Sequence, residues 1–177
     1  RFRSNKQLNS MLQKNIYTGI SFVVLIALQF LVFSNINLFG TINPFVYLLF
    51  LIQYQLNSNQ AIFIILCFLL GLFIDLILGT AGAHTIATLT VAYLRPWIVD
   101  FSFGINSDIS YAIFKGTQLA NQLSFIGIII GLHTILYYSV EYFQWHAFLI
   151  ILKNAFLTAI ITFIFIWLIL GFNKPKK

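Results

Sequence analysis

Apolar stretches about as long as a lipid bilayer is thick make up most of this sequence. The first of them, Ile16 to Ser34, is 19 residues long and uncharged. A helix needs about 20 apolar residues, within a range of roughly 17 to 25, to cross a hydrocarbon core roughly 30 Å thick. Because 60% of all residues are hydrophobic and 8% are charged, a water-soluble domain could not cover its surface with polar groups. We therefore expect a helical protein whose solvent is lipid.

This length criterion divides the chain into six spans joined by short polar turns. The second span is the shortest, at about 13 residues, and stretches of that length are often re-entrant or interfacial. Between the fourth and fifth spans, residues 110–122 are predicted to form an amphipathic helix in the interface. The expected fold is an all-α, polytopic membrane protein with one transmembrane domain over residues 1–177. The predicted spans are 16–34, 44–56, 61–78, 84–99, 123–143 and 147–172, with a cytoplasmic amphipathic segment at 100–122.

Basic residues flank the first and last spans. Lys and Arg beside membrane spans concentrate on the cytoplasmic side, so both termini are predicted to be cytoplasmic and the number of crossings even. Six crossings satisfy this condition, and four crossings remain an alternative. The net charge of +6 is then a topology signal and does not indicate nucleic-acid binding. The flanking residues are Arg1, Arg3, Lys6, Lys14, Lys174, Lys176 and Lys177.

Asp75 lies near the outer end of the third predicted span. Gly71 and Cys67 precede it at four and eight residues, so a stripe of small residues leads to its carboxyl group. One interpretation is a contact or coupling site, because charged groups inside a membrane usually face other helices or a cavity. The other is that Asp75 caps the turn from Gly79 to Ala83, since short acids favour turns.

Two basic residues also lie within or at the ends of predicted spans. Lys153 departs from the positive-inside pattern and is predicted either to pair with Glu141 or Asp75 or to extend to the outer interface. Arg95, next to Pro96 and Trp97, is predicted to anchor the fourth span at the cytoplasmic interface, with partner binding as the alternative.

Two stripes of small and polar residues indicate helix packing. Gly127 and Gly131 form a G-x-x-x-G pattern in the fifth span, which lets a second helix approach closely. Asn154, Thr158 and Thr162 share one face of the sixth span. Either stripe can contact an internal neighbour or another protein.

The sequence contains no recognisable set of catalytic or metal-binding residues. His84, His133 and His146 lie on different segments without metal-ligand spacing, and interfacial positions explain them. A single cysteine, Cys67, excludes an intramolecular disulfide and a site made of several cysteines. We therefore expect no enzymatic activity, no cofactor and no metal.

Four segments of the chain can be compared with known families of small membrane proteins: Ile42–Tyr47, Gly71–Leu76, Gly79–Thr85 and Val91–Pro96. They resemble the rod shape-determining protein MreD family of the bacterial cell-elongation machinery. The resemblance extends over nearly the whole chain in length, span count and basic ends. It implies a fold similar to the membrane substrate-binding subunits of energy-coupling-factor vitamin transporters.

The function implied by this resemblance is that of a non-enzymatic scaffold in the bacterial cytoplasmic membrane. Such a scaffold binds the bitopic protein MreC and helps couple MreB filaments to peptidoglycan synthases. A small-molecule transporter subunit is the alternative, and a homo-oligomer is left open. The candidate residues for partner contact or packing are Gly71, Asp75, Gly79, Gly82, Arg95, Gly127, Gly131, Lys153 and Asn154.

Overall fold

The fold is built from helices throughout the part of the chain that the structure describes. The structure is a computed structural model and describes residues 2–34, 36, 42–54, 59–104 and 117–172. Six α-helices follow one another, and shorter turns of 3-10 or π-helix extend three of them. The elements are α1 (Phe2–Leu28) with a π-helical turn at Gln29–Phe33, a 3-10 turn at Val46–Leu48 leading into α2 (Leu49–Gln53), α3 (Gln60–Leu78), α4 (Ala83–Phe103), α5 (Leu119–Tyr142), and a 3-10 turn at Trp145–Ala147 leading into α6 (Phe148–Phe172).

Four helical segments among the described residues are long and apolar enough to cross a membrane. They are Ile16–Phe33, Gln60–Leu78, Leu119–Tyr142 and Phe148–Gly171. The helix α4, with 21 residues, is also long enough, but its mean hydropathy is lower because it contains threonines, Arg95 and Asp100. The predicted helical membrane protein is confirmed at this level, whereas six crossings remain a prediction.

The predicted second span takes a different form from a membrane-crossing helix. Among the described residues of this span, 44–54, helix is present only from Val46 to Gln53, and eight helical residues extend about 12 Å, well short of a hydrocarbon core of roughly 30 Å. Residues 55 and 56 of the predicted span lie outside the described residues. Every residue from Phe45 to Ile52 is buried, with an exposed fraction of at most 3%. A short helix that is apolar on all sides belongs inside a bundle. Residues Val46–Gln53 therefore form the centre of the core, and we call them the central segment.

The longer helices pack around this segment in chain order. The main contacts join α3 with α4, α4 with α5, and α5 with α6, while α1 contacts α2 and α3. Antiparallel packing of neighbouring helices follows where a short turn connects them, as residues 79–82 connect α3 with α4.

The boundaries on either side of the predicted amphipathic segment differ from the prediction. The helix α4 continues to Phe103, and α5 already begins at Leu119, so both ends of the segment 100–122 belong to long helices. Residues 105–116 of that segment, and the basic tail at 173–177, lie outside the described residues.

The helices α3 and α4 approach each other closely at Gly71. A Cβ atom added there would lie 2.6 Å from the Cα of Thr85 and 2.9 Å from the carbonyl oxygen of His84. Real Cβ atoms do not approach a backbone so closely, so glycine is required for this packing. Gly71 therefore packs at the contact between α3 and α4.

Replacing Gly71 with alanine is expected to lower the melting temperature of the purified protein in detergent. The added methyl group has to push α4 away from α3, and overpacking of this kind costs about 1–3 kcal/mol. Gly127→Ala is the matched control, because nothing lies within 4 Å of a Cβ added at Gly127 and alanine favours helix. Equal melting temperatures for the two variants would contradict the close approach.

Candidate functional site

Asp75 holds the turn between α3 and α4 with its carboxylate. One oxygen, Oδ1, accepts from the backbone N–H of His84 at 3.1 Å and from the hydroxyl of Thr80. The other, Oδ2, accepts from the backbone N–H of Thr85 at 2.8 Å and from its hydroxyl at 2.5 Å. The first N–H groups of a helix have no partner within it, and a negative charge there is favourable. Of the two interpretations of Asp75, the geometry is that of a cap.

Two glycines give the turn its shape. Gly79 ends α3 with φ at 69°, and Gly82 precedes α4 with φ at 88°. Glycine adopts this left-handed region without the steric cost that a side chain brings. These two residues therefore belong with Asp75 to one structural unit, in which they bring the start of α4 within reach of the carboxylate.

The capped start of α4 carries His84 into the centre of the bundle. There the hydroxyl of Tyr47 lies 2.7 Å from Nδ1 of His84 and 3.0 Å from Nε2 of His133. All three side chains are buried, with exposed fractions of at most 1%. We call these three residues the Tyr47 cluster. It joins the short central segment to α4 and α5 by hydrogen bonds.

The chemistry of a phenol limits the protonation of the two histidines. The single proton of the Tyr47 hydroxyl can be donated to one ring nitrogen, so the other neutral ring has to donate its own proton to the phenol oxygen. Both rings therefore carry their protons on Nε2 when Tyr47 donates to His84, and both carry them on Nδ1 when Tyr47 donates to His133. The outer nitrogens, Nε2 of His84 and Nδ1 of His133, have no hydrogen-bond partner among the described residues.

Aromatic rings surround the Tyr47 cluster. The ring of Tyr137 lies 4.4 Å from that of His84, centroid to centroid, and 4.8 Å from that of Phe45. Phe45 meets both histidines edge-on at 5.2 and 5.5 Å. Apolar packing on this scale excludes bulk water and strengthens the hydrogen bonds inside it.

The peptide groups that enter the central segment are satisfied by α1 and α6. Gln29, in the π-helical turn, donates from Nε2 to the carbonyl of Pro44 at 3.0 Å and accepts from the backbone N–H of Tyr47 at 3.4 Å. The backbone N–H of Phe45 donates to the hydroxyl of Thr162 at 3.0 Å. Irregular backbone at membrane depth needs such partners, because lipid offers none.

Arg95 satisfies the other end of the segment. Its Nη2 donates to the carbonyl of Tyr54 at 2.5 Å and that of Ile52 at 3.4 Å, and its guanidinium lies 4.8 Å from the ring centre of Phe63. The last carbonyls of a helix have no partner within it and favour a cation. Because Arg95 is only 3% exposed, the predicted interfacial anchor is wrong.

The stripe on α6 faces α5. Nδ2 of Asn154 donates to the hydroxyl of Tyr142 at 2.9 Å, and the hydroxyl of Thr158 lies 2.8 Å from that of Tyr138. The hydroxyl of Thr162 accepts from the backbone N–H of Phe45, so all three predicted residues have internal partners. The internal alternative is therefore the one that the structure contains.

The G-x-x-x-G pattern on α5 makes no close internal contact. No described atom lies within 4 Å of a Cβ added at Gly127 or Gly131, so the predicted close approach does not occur within the described part of the chain. Lys153 and Glu141 are both exposed, and the carboxylate of Asp75 is occupied by the cap.

The interfacial interpretation is wrong for two of the three histidines. His84 and His133 are buried and share Tyr47, while His146 is exposed. Sequence spacing could not reveal this pairing, because the three residues of the cluster lie 37 and 86 positions apart. Among the described residues, no group of three or more His, Cys, Asp or Glu side chains is arranged to hold a metal ion.

Comparison of the chain with known protein families, curated proteins and solved structures found no match in any of the three. The class of protein therefore follows from the structure alone. Four apolar helices of membrane-spanning length around a buried polar centre indicate an all-helical membrane protein.

Substituting Tyr47 with phenylalanine is expected to destabilise the protein. The change removes one hydroxyl and leaves ring nitrogens of His84 and His133 without a partner, and each buried unsatisfied group costs about 1–3 kcal/mol. Thermal unfolding in detergent measures the effect. Tyr93→Phe serves as the control, because Tyr93 is 58% exposed on α4. If both variants unfold at the wild-type temperature, the hydroxyl does not join the helices.

Proposed function

We propose that this protein is a non-enzymatic membrane scaffold of the MreD type. In this proposal it resides in the bacterial cytoplasmic membrane, crosses it six times and has both termini in the cytoplasm. It binds an MreC-like bitopic partner and helps couple MreB filaments to peptidoglycan synthesis. The fold expected from the resemblance, that of vitamin-transporter substrate-binding subunits, is part of the same proposal.

The observation that carries the proposal is the convergence of the four segments on which the resemblance rests. Tyr47, from the first segment, contacts His84 from the third. Asp75, from the second, caps the helix that begins in the third. Arg95, from the fourth, closes the helix that follows the first. Residues far apart in sequence thus form one buried unit, as expected if the resemblance reflects a shared fold.

The use of polar groups in the core also favours a scaffold. Side chains that are costly to place in a membrane, such as Asp75 and Arg95, bond to backbone groups of neighbouring helices. Such bonds fix one arrangement of the helices and thereby one outer surface for a partner to recognise.

The residues available to a partner differ from those engaged inside the bundle. Gly71, Asp75, Arg95 and Asn154 are buried within the chain. Gly127 is exposed, and the space beside Gly127 and Gly131 is open, so a helix of another protein can approach α5 closely there. Lys153 is also exposed. We place the MreC-like contact on the Gly127 and Gly131 face of α5.

A substrate-binding transporter subunit is the second candidate. The observation in its favour is the pair of unpartnered ring nitrogens, Nε2 of His84 and Nδ1 of His133, which could bind a polar ligand. A transporter subunit of this kind would need a binding site of about 300–1,000 Å³, the usual volume of small-molecule sites. Native mass spectrometry of the purified protein separates the candidates, because a transporter subunit retains a vitamin-sized ligand and a scaffold retains none.

Co-purification with an MreC-like partner tests the scaffold directly. We expect the wild-type chain to recover the partner and the double variant Gly127→Leu/Gly131→Leu to lower the apparent affinity about tenfold, the effect of about 1.4 kcal/mol. The melting temperature should not fall, since nothing packs against either glycine. Gly171→Leu is the matched control, an exposed glycine with open space on α6. If the wild-type chain does not co-purify with the partner, the proposal is wrong.

A further inference from the structure

A polar groove opens between α1 and the central segment. Its volume is about 130 Å³, and three of its residues come from the first turns of the apolar part of α1. Hydroxyl and amide groups line one part of the groove, and Leu25 and Phe50 line the other. The complete lining consists of Tyr17, Thr18, Ser21, Leu25, Phe50, Gln53 and Tyr54.

The polar side chains of this groove are available to a ligand. Among the described residues, the side chains of Thr18, Ser21 and Gln53 make no hydrogen bond. Hydroxyls elsewhere in the bundle behave differently: those of Thr90 and Ser139 bond back to the carbonyl four residues earlier in their own helices. Such back-bonding is the usual way to satisfy a hydroxyl in an apolar helix. The groove therefore presents donors that no described residue satisfies.

The charge around the groove favours an anion. The guanidinium of Arg95 bonds to the carbonyls of Ile52 and Tyr54, which flank the groove residue Gln53. Lys14 precedes Thr18 by four positions and Ser21 by seven, which places all three on one face of α1. No acidic residue occurs in the sequence before Asp75. An anion in the groove thus meets no carboxylate from α1 or the central segment.

The position of the groove matches the depth of lipid headgroups. It lies where the apolar part of α1 begins, next to the basic positions of the same helix. Tyr17, at the rim, is 64% exposed, and tyrosine is enriched at the level where hydrocarbon meets headgroups.

We propose that this groove binds the phosphate group of an anionic phospholipid. The phosphate oxygens accept hydrogen bonds from the hydroxyls of Thr18 and Ser21 and from the amide of Gln53, and bonds to a charged group are about twice as strong as neutral ones. Leu25 and Phe50 contact the apolar part of the lipid. This site is independent of the scaffold function and does not rest on it.

Lipid binding to the purified full-length chain tests the site. Native mass spectrometry measures the binding of phosphatidylglycerol, phosphatidylcholine and inorganic phosphate. We expect one phosphatidylglycerol to bind about tenfold more tightly than phosphatidylcholine. The double variant Thr18→Val/Ser21→Ala should lose this preference, because two charge-assisted hydrogen bonds together account for at least about tenfold in affinity. Its melting temperature should stay at the wild-type value.

The matched control is the double variant Thr90→Val/Ser139→Ala, which removes two hydroxyls that already have partners. It should keep the preference for phosphatidylglycerol. Equal binding of the two lipids by the wild-type chain, or an unchanged preference in Thr18→Val/Ser21→Ala, would overturn the proposal. If inorganic phosphate binds as tightly as phosphatidylglycerol and competes with it, the site takes free phosphate and the lipid assignment is wrong.

Discussion

The carboxylate of Asp75 is the group on which the arrangement of the bundle depends. It lies in the interior and accepts hydrogen bonds from two backbone N–H groups at the start of α4 and from two threonine hydroxyls. In a medium of low dielectric constant a carboxylate is costly unless such donors surround it. The same bonds satisfy helix N–H groups that lipid cannot satisfy. Asp75 and the start of α4 therefore stabilise each other, and His84 is placed at the Tyr47 cluster as a result.

The backbone groups at the ends of the central segment also need hydrogen-bond partners from the surrounding helices. The segment is buried along its length, but its helix alone is too short to cross the membrane, so both helix ends bring backbone groups that need partners into the interior. Gln29 and Thr162 bond to one end, and Arg95 bonds to the other. These three residues come from α1, α6 and α4. The segment thus links helices that make few direct contacts with one another.

The features that depend on local sequence were predictable, and those that depend on distant contacts were not. The third span was predicted to within one residue, because Asn59 and Gly79 mark its two ends in the sequence. The cap by Asp75 was one of two stated interpretations, since the acid lies four residues before a glycine turn. By contrast, Gly71 and Gly127 look alike in sequence, and only tertiary packing shows that α4 lies against the first and no described residue lies against the second.

The positions of Arg95 and the histidines illustrate the same limit. An arginine beside proline and tryptophan near the end of a predicted span is typical of an interface, and nothing local indicates that α2 ends inside the bundle next to it. The pairing of His84 with His133 through Tyr47 likewise requires the fold. A tyrosine near the start of a short apolar stretch was the available signal, because a buried hydroxyl needs a polar partner.

Hydrogen–deuterium exchange of the Asp75→Ala variant tests most directly whether the carboxylate organises the bundle. The account predicts faster exchange at two separate places. One is the first turn of α4, which loses its cap, and the other is the central segment from Val46 to Gln53, which loses the placement of His84. Faster exchange confined to the first turn of α4, with wild-type protection of the central segment, would contradict it.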